Sequence, residues 1–137
     1  NMKEGAMFGS LKKYKLKDAA FYKEHAVFTF NTLYEEAQYV IYAVAEVSIN
    51  PSDADYLPFW AYENFTTQSQ WNAYVESARA CSLYHCTVDV QPGDRLLTLA
   101  TCSGADNNRR LLVAARKVRD GESTLTLKQS VYSTTVK

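Results

Sequence analysis

The stretch Arg95-Leu-Leu-Thr-Leu-Ala-Thr-Cys102, the polar run Ser103-Gly-Ala-Asp-Asn-Asn108, and Arg110-Leu-Leu-Val-Ala-Ala-Arg-Lys-Val118 decide how this chain folds. The two apolar flanks have strand composition, and the Gly/Asp/Asn-rich connection is short enough to make them a hairpin or close neighbours in a sheet. Upstream, Pro92-Gly93-Asp94 is turn chemistry that starts the first of these strands. Further back, Gln38 to Val47 reads as a long strand buried on both faces for much of its length, broken by Asn50-Pro51-Ser52-Asp53. Val27, Thr29 and Asn31 alternate with Phe28, Phe30 and Thr32, a period of two in a β-prone segment.

Helical signals sit around these strands. Thr67 and Gln70 form a capping box, and Trp71, Tyr74, Val75 and Ala78 then fall on one helical face. Met7, Phe8, Leu11 and Tyr14 recur at three- and four-residue steps, which predicts a short amphipathic helix with its lysines in water. A further turn or two is expected over 19–25. After Gly121, Leu125 and Leu127 alternate in part, and 119–137 is expected to include a loose tail. The expected architecture is a single α+β domain over 1–137, mainly β and barrel-like, with helices packed outside.

The composition narrows the function. The 137 residues fit one domain, and fifteen basic residues balance fifteen acidic ones, which excludes a nucleic-acid binder held by bulk charge. At 47% hydrophobic and 22% charged, the chain is globular rather than disordered. The longest apolar runs, Tyr39 to Ala45 and Leu111 to Ala115, are too short to span a bilayer. The chain opens at Asn1 with Met2 second, so a fragment or a processed chain is expected, with any membrane anchor upstream of it. Three cysteines leave at least one thiol unpaired. Cys81 and Cys86 are close enough in sequence to pair in an oxidising compartment; three buried, reduced cysteines are the alternative. No Asp, Glu, His or Cys cluster has metal-ligand spacing, so neither a metal nor another cofactor is expected.

Chemistry concentrates where Cys102 ends one strand and Arg110 opens the next. Nearby positive charge favours the nucleophilic thiolate, and a guanidinium stays charged and offers several donors to a developing oxyanion. Thr98-Leu99-Ala100-Thr101-Cys102 matches the TLxTC motif of the sortases, the cysteine transpeptidases of Gram-positive cell surfaces, with Arg110 at the position of their arginine. Asn1-Met2-Lys3-Glu4-Gly5-Ala6-Met7-Phe8-Gly9-Ser10-Leu11 resembles the segment after the catalytic histidine of class B sortases. The helix from Thr67 to Ala80, before Ser82-Leu83-Tyr84, is similar to the one those enzymes carry between strands six and seven. The resemblance covers residues 1 to about 118 and implies a sortase-type mixed β-barrel of which the N-terminal part lies outside this chain.

The class B pattern places its histidine directly before the Asn-Met pair, a position outside this sequence, and neither His25 nor His85 matches it. What the resemblance implies is two-step acyl transfer. Cys102 attacks the threonine carbonyl of an NPxTN- or NPxTG-like sorting signal on a secreted protein, and a peptidoglycan amine resolves the thioacyl intermediate. Arg110 stabilises the oxyanion or positions the substrate. Ala100 and Thr101 are expected to line the substrate groove, and Tyr56, Trp60 and Ala61 to stand in its wall. Ala100 occupies the variable position, where class B enzymes often have serine. The implied location is the extracellular face of the cell membrane, reached through a segment upstream. The alternative is a sortase-like fragment that binds sorting peptides without turning them over.

Overall fold

The computed structural model describes residues 11–15, 19–62, 67–103 and 107–137. After a 3-10 turn at Leu11–Lys15 come α1 (Ala20–His25), β1 (Val27–Asn31) and β2 (Glu36–Ser48). A second 3-10 turn (Phe59–Tyr62) leads to α2 (Gln68–Ala80), β3 (Tyr84–His85), β4 (Leu96–Cys102) and β5 (Arg109–Lys117). The chain closes with α3 (Thr124–Val131) and β6 (Thr135–Val136). The four longer strands form one antiparallel sheet in the order β1-β2-β5-β4, curled into a half-barrel, and β3 pairs with β6.

β2 and β5 are the interior of this sheet. Val40 to Ala45 and Leu111 to Ala115 are all essentially inaccessible, because both strands are covered on both faces. β1 occupies the free edge of β2 only as far as Val40. Beyond it the same edge takes up Leu83, whose N–H donates to Val44 (2.7 Å), and then the segment around Tyr56, which bridges Ser48. A register shift between Ile41 and Ala43 marks a bulge at Tyr42, and its extra residue re-aims the second half of the strand.

Capping chemistry accounts for the helix starts. The Thr67 hydroxyl accepts the Gln70 N–H at 3.1 Å, and Trp71, Tyr74, Val75 and Ala78 are the buried face of α2. Gln91–Asp94 is a hydrogen-bonded turn with Pro92 first and Gly93 second; Gly93 sits at φ 97°, which a side chain would strain. Buried tyrosines fill volume while their hydroxyls find backbone carbonyls: Tyr22 on Ile41 (2.8 Å) and Tyr14 on His25 (2.9 Å).

Two expectations change. The partial alternation at Leu125 and Leu127 belongs to a helix, α3, because Ser123 caps Thr126 N–H at 3.2 Å and Leu127 and Val131 share its buried side. The final residues are tied down as β6 against β3. Of the amphipathic segment from Met7, only Leu11–Lys15 lies in the described residues; it is 3-10 rather than α, with Leu11 and Tyr14 buried and Lys12, Lys13 and Lys15 outward.

Among the described residues one charge is wholly buried. Arg116 is inaccessible on β5, where Glu122 takes it with two 2.8 Å bonds and the Asp89 carbonyl with a third. The Arg116 hydrogen bonds hold the Glu122 carboxyl below its ordinary range against the opposing effect of burial. Burial likewise opposes ionisation of Asp94, but hydrogen bonds from Arg119 and the Gln91 N–H outweigh it and lower its value. Both groups therefore stabilise the fold fully above the ordinary carboxyl range and lose that contribution as pH falls through their lowered folded values. Glu122→Gln is expected to cost about 3 kcal/mol at neutral pH, because the buried guanidinium loses its bidentate carboxylate and keeps only the more distant Asp94. Its stability should also fall less steeply than wild type in acid, and urea melts from neutral pH into acid would check both. Leu112→Ala, a cavity under α2, is expected to cost about 2–5 kcal/mol in the same assay.

Candidate active site at the mouth of the β4–β5 hairpin

In the β4–β5 ladder Cys102 stands directly opposite Arg110, and Ala100 directly opposite Leu112. Directly opposed residues share a face of the sheet, as do residues two apart on one strand, so Cys102, Ala100, Arg110 and Leu112 all lie on one side. The register continues that face onto Val47 and Ala45 of β2. Over it pack Leu57, Tyr74, Phe59 and Tyr62, with Ala100 half-buried against the cluster. The hydroxyl of Tyr74 also hydrogen-bonds Thr98, which ties α2 to the start of the floor.

At the open end of this face the Cys102 thiol is exposed. Its neighbours in sequence, Thr101 and Ser103, are each only 4% accessible. Alternation explains the contrast: they turn to the opposite side of the sheet, where Thr101 is paired with Leu111. The Arg110 guanidinium is held by the carbonyls of Asn107 (2.7 Å) and Arg109 (2.9 Å), which bends it back over the hairpin connection. The Ser103 N–H donates to that same Arg109 carbonyl at 3.2 Å.

Of the residues expected in the substrate groove, Ala100 lies on the floor beside the thiol. Thr101 does not line the groove, because a strand residue adjacent to an outward thiol must point the other way. Tyr56 is half-buried and bridges Ser48, while the neighbouring Asp55 carboxylate pairs with Arg109 at 2.6 Å. Ser48 alternates with Val47, so Tyr56 beside it turns to the face opposite the thiol and does not stand in the groove wall, while its neighbour Leu57 packs on the thiol's face. Trp60 and Ala61 are exposed on the 3-10 turn, Trp60 at 54% with its ring edge-on to Phe59. The packing role in this segment falls to Phe59 and Tyr62 instead.

Neither histidine sits at the hairpin mouth. His25, exposed on α1, stacks on Phe21 and places Nδ1 3.0 Å from its carbonyl; His85 is exposed on the short strand β3. Cys81 and Cys86 are both free thiols, and burial pushes each above the ordinary thiol range. Among the described residues there is no group of His, Cys, Asp or Glu that could hold a metal, and no helix long and apolar enough to cross a membrane.

Sequence reading missed a second polar group at the mouth. On the face opposite the thiol, Glu46 meets Lys15 at 3.1 Å, and the Lys15 ammonium also donates to the Ser103 hydroxyl at 3.0 Å. Burial opposes ionisation of Glu46, but hydrogen bonds from Lys15 and Ser103 hold its carboxyl below the ordinary range. The available signal was a lone glutamate inside the apolar run Tyr-Ala-Val-Ala-Glu46-Val, since buried acids need partners.

No protein-family model matches the chain. Sortase B of Listeria monocytogenes is 30% identical over 102 residues, which make up 74% of this chain and 38% of that protein. The structure of sortase B from B. anthracis in complex with AAEK2 superposes with a TM-score of 0.65 at 29% identity, covering 85% of this chain and 49% of that one. The Staphylococcus aureus sortase B-substrate complex shares the fold at a TM-score of 0.64 and 21% identity, covering 82% and 49%. The chain thus spans well under half of the curated relative and about half of each solved structure. What the hairpin mouth suggests by its chemistry, the rest of the sequence and the half-barrel sheet support over most of their length: this chain is a homologue of sortase B.

Proposed function

We propose that the chain carries the nucleophile and arginine of a class B-type transpeptidase that anchors secreted proteins at the extracellular face of the cell membrane. The observation that carries this reading is the exposed Cys102 thiol, in register with Arg110, at the open end of a face walled by Leu57, Phe59, Tyr62 and Tyr74. The Cys102 thiolate attacks the threonine carbonyl of an NPxTN- or NPxTG-like signal, the peptide C–N bond breaks, and a thioester forms. A peptidoglycan amine then attacks the thioester carbon, the C–S bond breaks, and the thiolate is regenerated. Arg110 supplies donors to the oxyanion in both steps.

Among the described residues the two histidines, His25 and His85, lie on α1 and β3, away from the thiol's strand, so neither is placed to protonate the departing amine. That the Staphylococcus aureus sortase B, which shares this fold, is solved as a substrate complex supports substrate binding by this fold.

A sorting peptide carrying a fluorophore and a quencher tests the reading in the intact protein, with and without an amine acceptor. Cleavage should vanish in Cys102→Ala. In Arg110→Ala, kcat/KM should drop by about 100-fold or more, the usual cost of one oxyanion donor. Arg110→Lys should not restore it, because an ammonium lacks the planar fork. Full rate in Arg110→Ala would overturn the role assigned to the arginine. Peptide binding without cleavage in the wild-type protein would favour a binding module.

A further inference from the structure

Cys102 is exposed, yet both of its neighbours are buried, and Ser103 is fixed at two points. Its N–H donates to the Arg109 carbonyl (3.2 Å), and its hydroxyl accepts the Lys15 ammonium (3.0 Å). Lys15 and Glu46 are themselves an ion pair at 3.1 Å, on different elements: the 3-10 turn and β2. The Arg109 carbonyl is the connecting atom, because it accepts both the Ser103 N–H and the Arg110 guanidinium (2.9 Å). A displacement of Ser103 therefore moves the strand end that carries the thiol and the carbonyl that orients the arginine. We propose that Lys15 and Glu46 are positioning residues that clamp Ser103 from the far face of the sheet and so hold Cys102 and Arg110 in register for reaction. The proposal rests on the reading of Cys102 and Arg110 as the reacting pair.

Among the described residues, the charges that face this clamp are Lys15 from the 3-10 turn, Glu46 from β2 and Arg109 from β5, and Arg109 is drawn away by Asp55 at 2.6 Å. A purely electrostatic influence of Lys15 or Glu46 on the thiol would cancel in the neutral pair Lys15→Met/Glu46→Gln, which has the wild-type net charge. A positional influence would not cancel. The rate of iodoacetamide alkylation at Cys102, read by peptide mass at fixed pH in the intact protein, separates the two without requiring turnover. The neutral double variant should alkylate several-fold more slowly than wild type. Ser103→Ala, which removes only the clamped hydroxyl, should slow it in the same direction, and Lys15→Arg, which keeps cation and donors, should retain the wild-type rate. Wild-type alkylation in Ser103→Ala, or in a double variant that melts cooperatively, would overturn the clamp. Arg110→Ala serves as the separate arm. If its rate equals wild type while the clamp variants are slow, the clamp stands and the pairing of thiol with arginine fails instead.

Discussion

The register between β2 and β5 is the constraint on which the rest of the structure depends. Side chains on a strand alternate with a period of two, so a slip of one residue would carry every β5 side chain to the opposite face. The slip would turn Leu112 and Arg110 of β5 to the face opposite Val47 and Ala45, which misplaces the groups packed on each side. The near-complete burial of both strands makes that slip costly, because apolar groups on either face would be matched with polar surroundings. Core packing is thus set by the β2–β5 ladder, and the pairing of Cys102 with Arg110 by the β4–β5 ladder that shares β5 with it. The bulge at Tyr42 lets β2 serve two purposes along its length, flanked by β1 in its first half and by the 55–57 and 82–83 segments in its second.

Much of this was legible in the sequence because it depends on local periodicity and capping. The run from Gln38 to Val47 and the Thr67 cap with its Trp71, Tyr74, Val75 and Ala78 face follow from rules acting over a few residues. The hairpin over Cys102 and Arg110 does too. The misreadings share a cause as well. Leu125 and Leu127 satisfy a period of two by coincidence, while Ser123 as a cap and the spacing from Leu127 to Val131 decide for a helix. Thr101 was assigned to the groove from its closeness in sequence to the nucleophile, although adjacency on a strand means opposite faces.

What sequence could not carry is contact between distant segments. Lys15, Glu46 and Ser103 are spread over 88 positions, and Asp55 and Arg109 over 54. Each pair is polar, so no hydrophobic pattern announces it, and partner choice follows only from the finished topology. Glu46 alone left a trace, as a charge where its neighbours are apolar. The same limit applies to the aromatic wall: composition shows that Phe59, Trp60 and Tyr62 are large, but only the docking of the 3-10 turn on α2 decides which rings pack and which stay in solvent.

The two faces of the sheet divide the demands that a reactive thiol makes. A nucleophile must be open to a peptide, and an open strand end has few packing contacts of its own to hold it still. Alternation resolves the conflict at Cys102, since its exposure on one face obliges Thr101 and Ser103 to reach the other, where both are buried. On the proposed reading, the strand end is held from the face opposite the thiol, by Leu111 paired with Thr101 and by the Lys15–Glu46 pair on Ser103. A strand end suits this better than a flexible loop, because anchors on one face leave the opposite side chain exposed while fixing its backbone. On this reading, a substitution on the far face would be felt at the thiol without altering any residue that lines the groove.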